Sequence, residues 1–360
     1  MTSNLQSWAA QLAALIECKV IPDHTFDRVA CALFAFQFEH NAALRRICEQ
    51  RGLRSGAVDT WRAIPAVPVS AFKHMEMTLV PPDERIAVFH SSGTTGRESS
   101  RHFHSRESLG VYEVSLLNGF GAHLAQDAGM GAMPDRLVPV FLTPPPEAAP
   151  HSSLVHMLGT IGRARGFSND IFCGTTTSGG DWCVDHERLA RRLHCTDPLL
   201  LFGTAFQFVH LIDEWERLSF RGALPEGTRL IETGGYKGRS REMPMETLHA
   251  AISTRLGVPR CRIAREFGMC ELSSQAYDRG REGNRVLQFP PWVRAQICSP
   301  ETGREMKAGE VGLLCVCDLA NLSSTVLVQT EDLARSVEDG FELCGRAAAG
   351  PPRGCSLMTA

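Results

Sequence analysis

The sequence predicts an α/β protein: a mostly parallel sheet carrying helices, with a small antiparallel β-subdomain after it. Three observations predict this. Short apolar runs end in glycine turns, as in Leu199-Leu200-Leu201-Phe202-Gly203, in Arg229-Leu230-Ile231-Glu232 ahead of Gly234, and in Ile263-Ala264-Arg265-Glu266-Phe267-Gly268. Stretches of helical spacing separate such runs up to about residue 287. After Pro290-Pro291 the texture changes to strands joined by turns such as Glu301-Thr302-Gly303 and Glu338-Asp339-Gly340. The expected division is an α/β core with N-terminal helices over 1–288, a β-rich subdomain over 289–345 and a flexible tail over 346–360.

The elements follow in order. Leu5, Trp8, Leu12, Leu15 and Ile16 place an amphipathic helix over 5–17. A second helix starts near Asp23 or Thr25 and ends by Gly52, with Phe34, Phe36 and Phe38 as core. Ile64-Pro65-Ala66-Val67-Pro68-Val69 is an extended connector, since proline excludes helix there. Ile86-Ala87-Val88-Phe89 reads as a short buried strand and Arg101–His104 as a second strand. A helix over Ser108–Phe120 and a strand over Arg136–Leu142 come next, and Ser152-Ser153 opens another helix. Residues 166–183 stay unassigned, being rich in Gly, Ser and Thr. Helical spacing ends near His194 and resumes over Phe206–Leu218. Strands are expected at 293–297, 311–318, 324–329 and 341–343, followed by the tail from Arg346.

Composition bounds the function. A formal net charge of −3 gives no general attraction to nucleic acid, and no apolar run has membrane-spanning length. The 13 cysteines include no C-x-x-C pair, and the C-x-C at Cys315 and Cys317 has no second pair, so no zinc site is expected. Abundant thiols without a basic, apolar leader predict a reducing, cytoplasmic location. No G-x-S-x-G elbow supports a serine hydrolase, and no Walker A pattern occurs.

Chemistry is carried first by His90-Ser91-Ser92-Gly93-Thr94-Thr95-Gly96-Arg97 between two strands. Such a loop can aim several N–H and hydroxyl donors at one point, as a polyphosphate requires. An ordinary hairpin loop would have the same composition. The loop resembles the phosphate-binding loop of the adenylate-forming superfamily, whose members activate carboxylates with ATP. Companion motifs follow in that superfamily's order. Phe202-Gly203-Thr204-Ala205-Phe206 resembles the segment lining the carboxylate pocket, and Thr233-Gly234-Gly235-Tyr236 the glycine turn beside the adenine. Phe267-Gly268-Met269-Cys270-Glu271 resembles Y-G-x-T-E, which implies Phe267 against the adenine and Glu271 on Mg²⁺. Thr330-Glu331-Asp332-Leu333 resembles T-G-D-L, and Gly345-Arg346 the G-R after it, which implies that Asp332 and Arg346 reach the ribose.

Two departures stand out. The loop continues Arg97-Glu98-Ser99-Ser100 where many members have G-x-P-K, so charge comes from Arg97 or Arg101. The chain ends at Ala360, so the C-terminal lid domain with its catalytic lysine is not expected, and Lys237, beside the adenine-side glycines, is the candidate cation. Together with Ile64-Pro65-Ala66-Val67-Pro68, Thr233–Lys237 and Gly354-Cys355-Ser356-Leu357, this pattern resembles one branch, the acyl-protein synthetases that activate fatty acids for bacterial luciferase aldehyde supply. The resemblance implies an acyl-adenylate from ATP, Mg²⁺ and a carboxylic acid, then transfer to Cys355 as a thioester. It also implies an acyl-reductase or acyltransferase protein partner. A stand-alone acyl- or aryl-CoA or carrier-protein ligase, and a non-catalytic subunit of a reductase or synthetase complex, remain as alternatives.

Overall fold

The computed structural model describes residues 2–53, 56, 58–91, 99–125, 137–215, 222–234, 243–278 and 285–347. Three helices open it: α1 (Thr2–Ile16), α2 (Asp23–His40) and α3 (Ala42–Gln50). Leu5, Leu12 and Ile16 are buried at the helical spacing expected, as are Phe34, Phe36 and Phe38. The single helix expected up to Gly52 is instead two. The break is at Asn41, whose side-chain oxygen accepts from the N–H groups of Ala43 and Leu44, both at 3.1 Å, and so caps α3. Its amide donates to the Ser324 carbonyl at 2.9 Å. One turn earlier, Gln37 donates to the Asn321 carbonyl at 2.6 Å and accepts from the Val326 N–H at 2.8 Å. A tertiary staple thus ends α2, and periodicity cannot report it.

The chain continues through β1 (Val67–Pro68), α4 (Ala71–His74), β2 (Ala87–His90), β3 (Arg101–His104), α5 (Arg106–Ala125) and β4 (Val138–Phe141). The β2–β3 hairpin forms a separate two-stranded sheet. For that reason β2 is not the buried strand expected: Phe89 alone is buried in it, and the preceding Ile86 is 57% exposed. Next come α6 (Ser153–Ala164), capped by Ser152, and β5 (Gly174–Thr176) and β6 (Trp182–Val184), a small hairpin in the unassigned stretch. Then follow α7 (His186–Leu193), β7 (Leu199–Thr204), α8 (Ala205–Asp213), β8 (Arg229–Thr233), α9 (Met245–Leu256) and β9 (Ile263–Phe267). Helix α8 stops at Asp213; Leu218, the end expected for it, lies outside the described residues. Strands β10 (Ala276–Asp278), β11 (Leu287–Gln288), β12 (Val293–Cys298), β13 (Val311–Asp318), β14 (Leu327–Val337) and β15 (Gly340–Arg346) complete the chain.

One sheet holds eleven of these strands, in the order β12-β13-β14-β15-β11-β10-β9-β8-β7-β4, with β1 beside β14. The run β4-β7-β8-β9 is parallel, as the glycine-ended apolar runs predict. The antiparallel strands expected beyond Pro291 are present and continue the same sheet through β10 and β11. Strand period sorts the parallel half onto two cores. Leu199, Leu201, Leu230 and Ile263 face α8 and α9; Leu200, Phe202, Ile231 and Ala264 face α5 and α6. The antiparallel half packs Leu314, Val316, Val328 and Phe341 into a third core with the N-terminal helices. No helix among the described residues is long and apolar enough to cross a membrane.

Two turn positions need their backbone explained. Gly257 ends α9 in the left-handed region at φ 71°. Asp339, at φ 66°, turns β14 into β15, a conformation that Asp tolerates better than most residues.

Candidate active site

Ligands of such sheets sit beyond the carboxyl ends of the parallel strands, where Gly234 follows β8 and Gly268–Glu271 follow β9. At the end of β2, Ser91 and Ser100 clasp each other across the glycine-rich loop. The Ser91 N–H donates to the Ser100 carbonyl at 3.2 Å, and the Ser100 N–H donates to the Ser91 hydroxyl at 3.0 Å. Ser92, Gly93, Thr94, Thr95, Gly96 and Arg97 lie outside the described residues. The Ser100 hydroxyl donates to a carboxylate oxygen of Glu271, and the Cys270 thiol lies 3.4 Å from the same hydroxyl. The base of the loop and Glu271 are therefore in direct contact.

Glu271 is 3% exposed, and burial pushes its carboxyl above the ordinary range, opposed by the Ser100 hydrogen bond and, more weakly, by the charge of Lys73. Its segment is held from several sides. The Asn321 amide donates to the Glu271 carbonyl at 3.0 Å. Asp318, at the end of β13, accepts from the Ser273 N–H at 3.0 Å and from the Ser274 hydroxyl at 2.7 Å. The Trp292 indole donates to Ser274 at 3.1 Å and to Ser115 of α5 at 2.9 Å. The loop between β13 and β14 is the same one stapled to α2, so the N-terminal helices support Glu271 through two shells of hydrogen bonds.

Asp332 lies inside β14, not on a turn, directly opposite Arg346 of β15. The Arg346 guanidinium is 3.5 Å from the Asp332 carboxylate and donates to Glu331 at 3.1 Å. Burial raises the Asp332 carboxyl, while Arg346 and, more weakly, Arg265 of β9 pull it down. Arg346, the expected start of the tail, instead closes β15, and the Ala347 N–H donates to the Glu331 carbonyl at 2.9 Å; residues 348–360 lie outside the described residues. Here β14 changes neighbour: β1 pairs with Val328 and Gln329, and β15 takes over from Asp332. Lys73, on α4 just after β1, comes within 3.9 Å of Glu331. Lys73 thus stands beside Glu331, the neighbour of Asp332, and its charge weakly favours the ionised form of Glu271.

Gly234 follows β8 with φ 66° and open space where a side chain would stand. Gly235 and Lys237 lie outside the described residues, as does Cys355. Phe267 ends β9, 8% exposed, with its ring edge-on to Phe289 and Phe341. Gly268 has a steric reason to be glycine: a methyl there would stand 2.5 Å from the Glu266 carboxylate. Arg101, one of the two arginines expected near the loop, turns toward Phe103, its guanidinium 5.7 Å from the ring centre, and its charge reaches Glu76 and His90.

Sequence reasoning missed Ser100, Asp318, Asn321 and Lys73. Lys73 is one of only four lysines, a signal that was visible but had no position attached. Glu266 was also passed over. It is 4% exposed, accepts from the Thr233 hydroxyl, and burial raises its carboxyl from 4.5 to about 7. Between those values the folded chain keeps a proton that the unfolded chain has released. Stability therefore falls as pH rises from 4.5 to about 7 and stays lower above. Glu266→Gln is expected to add up to about 3 kcal/mol at pH 8 and almost nothing at pH 4. Urea midpoints at the two pH values check this; equal shifts at both would contradict it.

No protein-family model matches the chain. Its structure superposes on that of 2-hydroxyisobutyryl-CoA ligase in the postadenylation state with bound 2-HIB-AMP, at TM-score 0.64 and 18% identity over 91% of this chain and 67% of that one. The same ligase with 2-HIB-AMP and CoA in the thioesterification state gives TM-score 0.65 and 18% identity over 92% of this chain and 70% of that one. The fold is that of the adenylate-forming ligases, as the ordered motifs implied. In sequence the chain is similar to the long-chain-fatty-acid–luciferin-component ligase of Aliivibrio fischeri. The two are 21% identical over 316 residues, which span 85% of this chain and 78% of the relative.

Proposed function

We propose that this protein is an ATP-dependent, AMP-forming acid–thiol ligase of the acyl-protein synthetase type. A carboxylate oxygen attacks the α-phosphorus of ATP, the bond to pyrophosphate breaks, and an acyl-adenylate forms. The Cys355 thiolate then attacks the acyl carbon, AMP leaves, and a thioester remains on the enzyme. The observation that carries this reading is the Ser100 hydrogen bond to Glu271, which ties the base of a donor-rich loop to a buried carboxylate on an adenylate-forming fold.

The residues take these roles in the proposal. Ser91, Ser92, Gly93, Thr94, Thr95 and Gly96 offer donors to the phosphates. Gly234, Gly235, Phe267 and Gly268 flank the adenine. Asp332 accepts from the ribose hydroxyls, and Arg346, which opposes the upward pull of burial on the Asp332 carboxyl, reaches the ribose beside it. Magnesium fits at Glu271. The described residues contain no cluster of three metal-ligating side chains, but Mg²⁺ commonly takes one or two carboxylates and fills its shell with water and substrate phosphates. When bound, it would neutralise phosphate charge as the carboxylate approaches. The acid is fatty by the likeness to the A. fischeri ligase, and, as the motif resemblance implies, a reductase or acyltransferase would take the thioester onward. A reducing, cytoplasmic setting suits an acceptor thiol.

The test is acid-dependent exchange of labelled pyrophosphate into ATP, run beside intact-mass analysis with Mg²⁺ and a panel of acids. Exchange and one acyl adduct of thioester lability are expected with a long-chain acid. Exchange without an adduct, but with acyl-CoA formed on added CoA, would support the stand-alone CoA ligase instead. ATP that binds to no extent would leave a non-catalytic subunit.

A further inference from the structure

We infer that Lys73 supplies the cation that meets the α-phosphate of the nucleotide, an inference that rests on the reading above and assigns a residue to its first step. The geometry fixes where Lys73 stands. Val67 and Pro68 pair in register with Val328 and Gln329, and the Val69 N–H donates to the Gln329 carbonyl at 2.9 Å. Helix α4 follows at once, and its Phe72 packs edge-on to His102 of β3, with ring centres 6.0 Å apart. The short helix is thereby anchored on the strand that carries Asp332 and on the hairpin that carries the loop.

Between those anchors Lys73 reaches Glu331, the neighbour of the ribose-side carboxylate, at 3.9 Å. Toward Glu271 the link is through the neighbouring Phe72: the His102 ring it packs on hydrogen-bonds the Cys270 carbonyl at 2.8 Å, one residue before Glu271, whose carboxyl the charge of Lys73 also pulls down. In a nucleotide the α-phosphate lies between the ribose and the outer phosphates. A cation placed between Asp332 and Glu271 therefore faces that position. The pair with Glu331 is loose and part-exposed, 29% for the lysine side chain and 44% for the glutamate. Such a pair contributes little and holds the ammonium weakly, so a phosphate can draw it away. Four methylenes give Lys73 the freedom to follow. The other described lysines do not compete: Lys19 follows α1, Lys307 lies between β12 and β13, and both are exposed. As two anions meet in adenylation, an ammonium at the reacting phosphorus lowers the barrier more than it aids ground-state binding.

The test compares Lys73→Met, Lys73→Arg and Glu331→Gln in the full chain. Lys73→Met is expected to lower kcat for acid-dependent pyrophosphate exchange by about 100-fold, with Lys73→Arg recovering about tenfold of it. Calorimetry with AMP and with adenosine gives the second readout. Lys73→Met should weaken AMP about tenfold and leave adenosine unchanged, because only AMP carries the phosphate. Glu331→Gln should lose less than tenfold in exchange. Equal weakening of AMP and adenosine, or Glu331→Gln losing as much as Lys73→Met, would overturn the proposal and leave Lys73 a brace for β14. Wild-type exchange in Lys73→Met would overturn it as well. Should the wild-type chain bind AMP but exchange with no acid, the ligase reading fails while the AMP-against-adenosine comparison still decides Lys73.

Discussion

Glu271→Gln is expected to cut acid-dependent pyrophosphate exchange by about 10²–10³-fold while the protein stays folded. Gln keeps the shape of Glu and can still accept from the Ser100 hydroxyl, so the clasp at the loop survives. What it loses is the charge on a hard oxygen at the phosphate side. Stability moves the other way. Burial disfavours the ionised carboxylate of Glu271, so a neutral amide should hold or raise the thermal midpoint at pH 8. Activity lost with stability kept separates a chemical role from a structural one. The magnesium dependence supplies a third reading, since the variant should need more Mg²⁺ for its residual rate. Exchange within threefold of wild type, at unchanged Mg²⁺ dependence, would remove Glu271 from the site.

Cys355→Ala is expected to abolish the covalent acyl adduct and leave pyrophosphate exchange intact. In the proposed scheme the two steps are chemically separate: adenylation would use the phosphate loop, Glu271 and Asp332, while the thioester would need only a thiol that reaches the mixed anhydride. Reach is sufficient. Arg346 stands 3.5 Å from the Asp332 carboxylate, and Cys355 lies nine positions further on, or about 30 Å fully extended. A thiol on such a tether has an effective concentration on the order of millimolar. Cys355→Ser should replace the labile thioester by a stable oxygen ester or give none. Cys344 is the informative control, being exposed and two residues ahead of Arg346. An adduct that survives Cys355→Ala and disappears in Cys344→Ala would move the acceptor onto β15.

How far the chain could be read beforehand differs from element to element. Leu199–Phe202, Leu230–Ile231 and Ile263–Ala264 were legible as buried parallel strands, because both faces of such a strand are apolar and the turn after it needs glycine. The order of the motifs was legible too, since each is a short run whose residue types suit one part of a nucleotide. Asn41 was not legible as a helix break. It reads as an ordinary polar position, and only Ser324, 283 residues away, turns it into a staple. Asp332 was legible through its motif but lies beyond the strand expected at 324–329, and only the structure places it in β14 against Arg346. Lys73 had no motif at all and acquires a meaning from β1 lying beside β14.

By itself, then, the sequence determined the layer architecture, the antiparallel strands beyond Pro291 and the candidate residues of the nucleotide site. These follow from local periodicity and turn chemistry, which act over a few residues. Tertiary structure alone decided which of those residues meet. Ser100 touches Glu271 across 171 positions, Asn321 holds the Glu271 carbonyl across 50, and Lys73 reaches Glu331 from the far end of the chain. Contacts of that span come from sheet order and from buried polar groups finding partners, which no window of sequence contains.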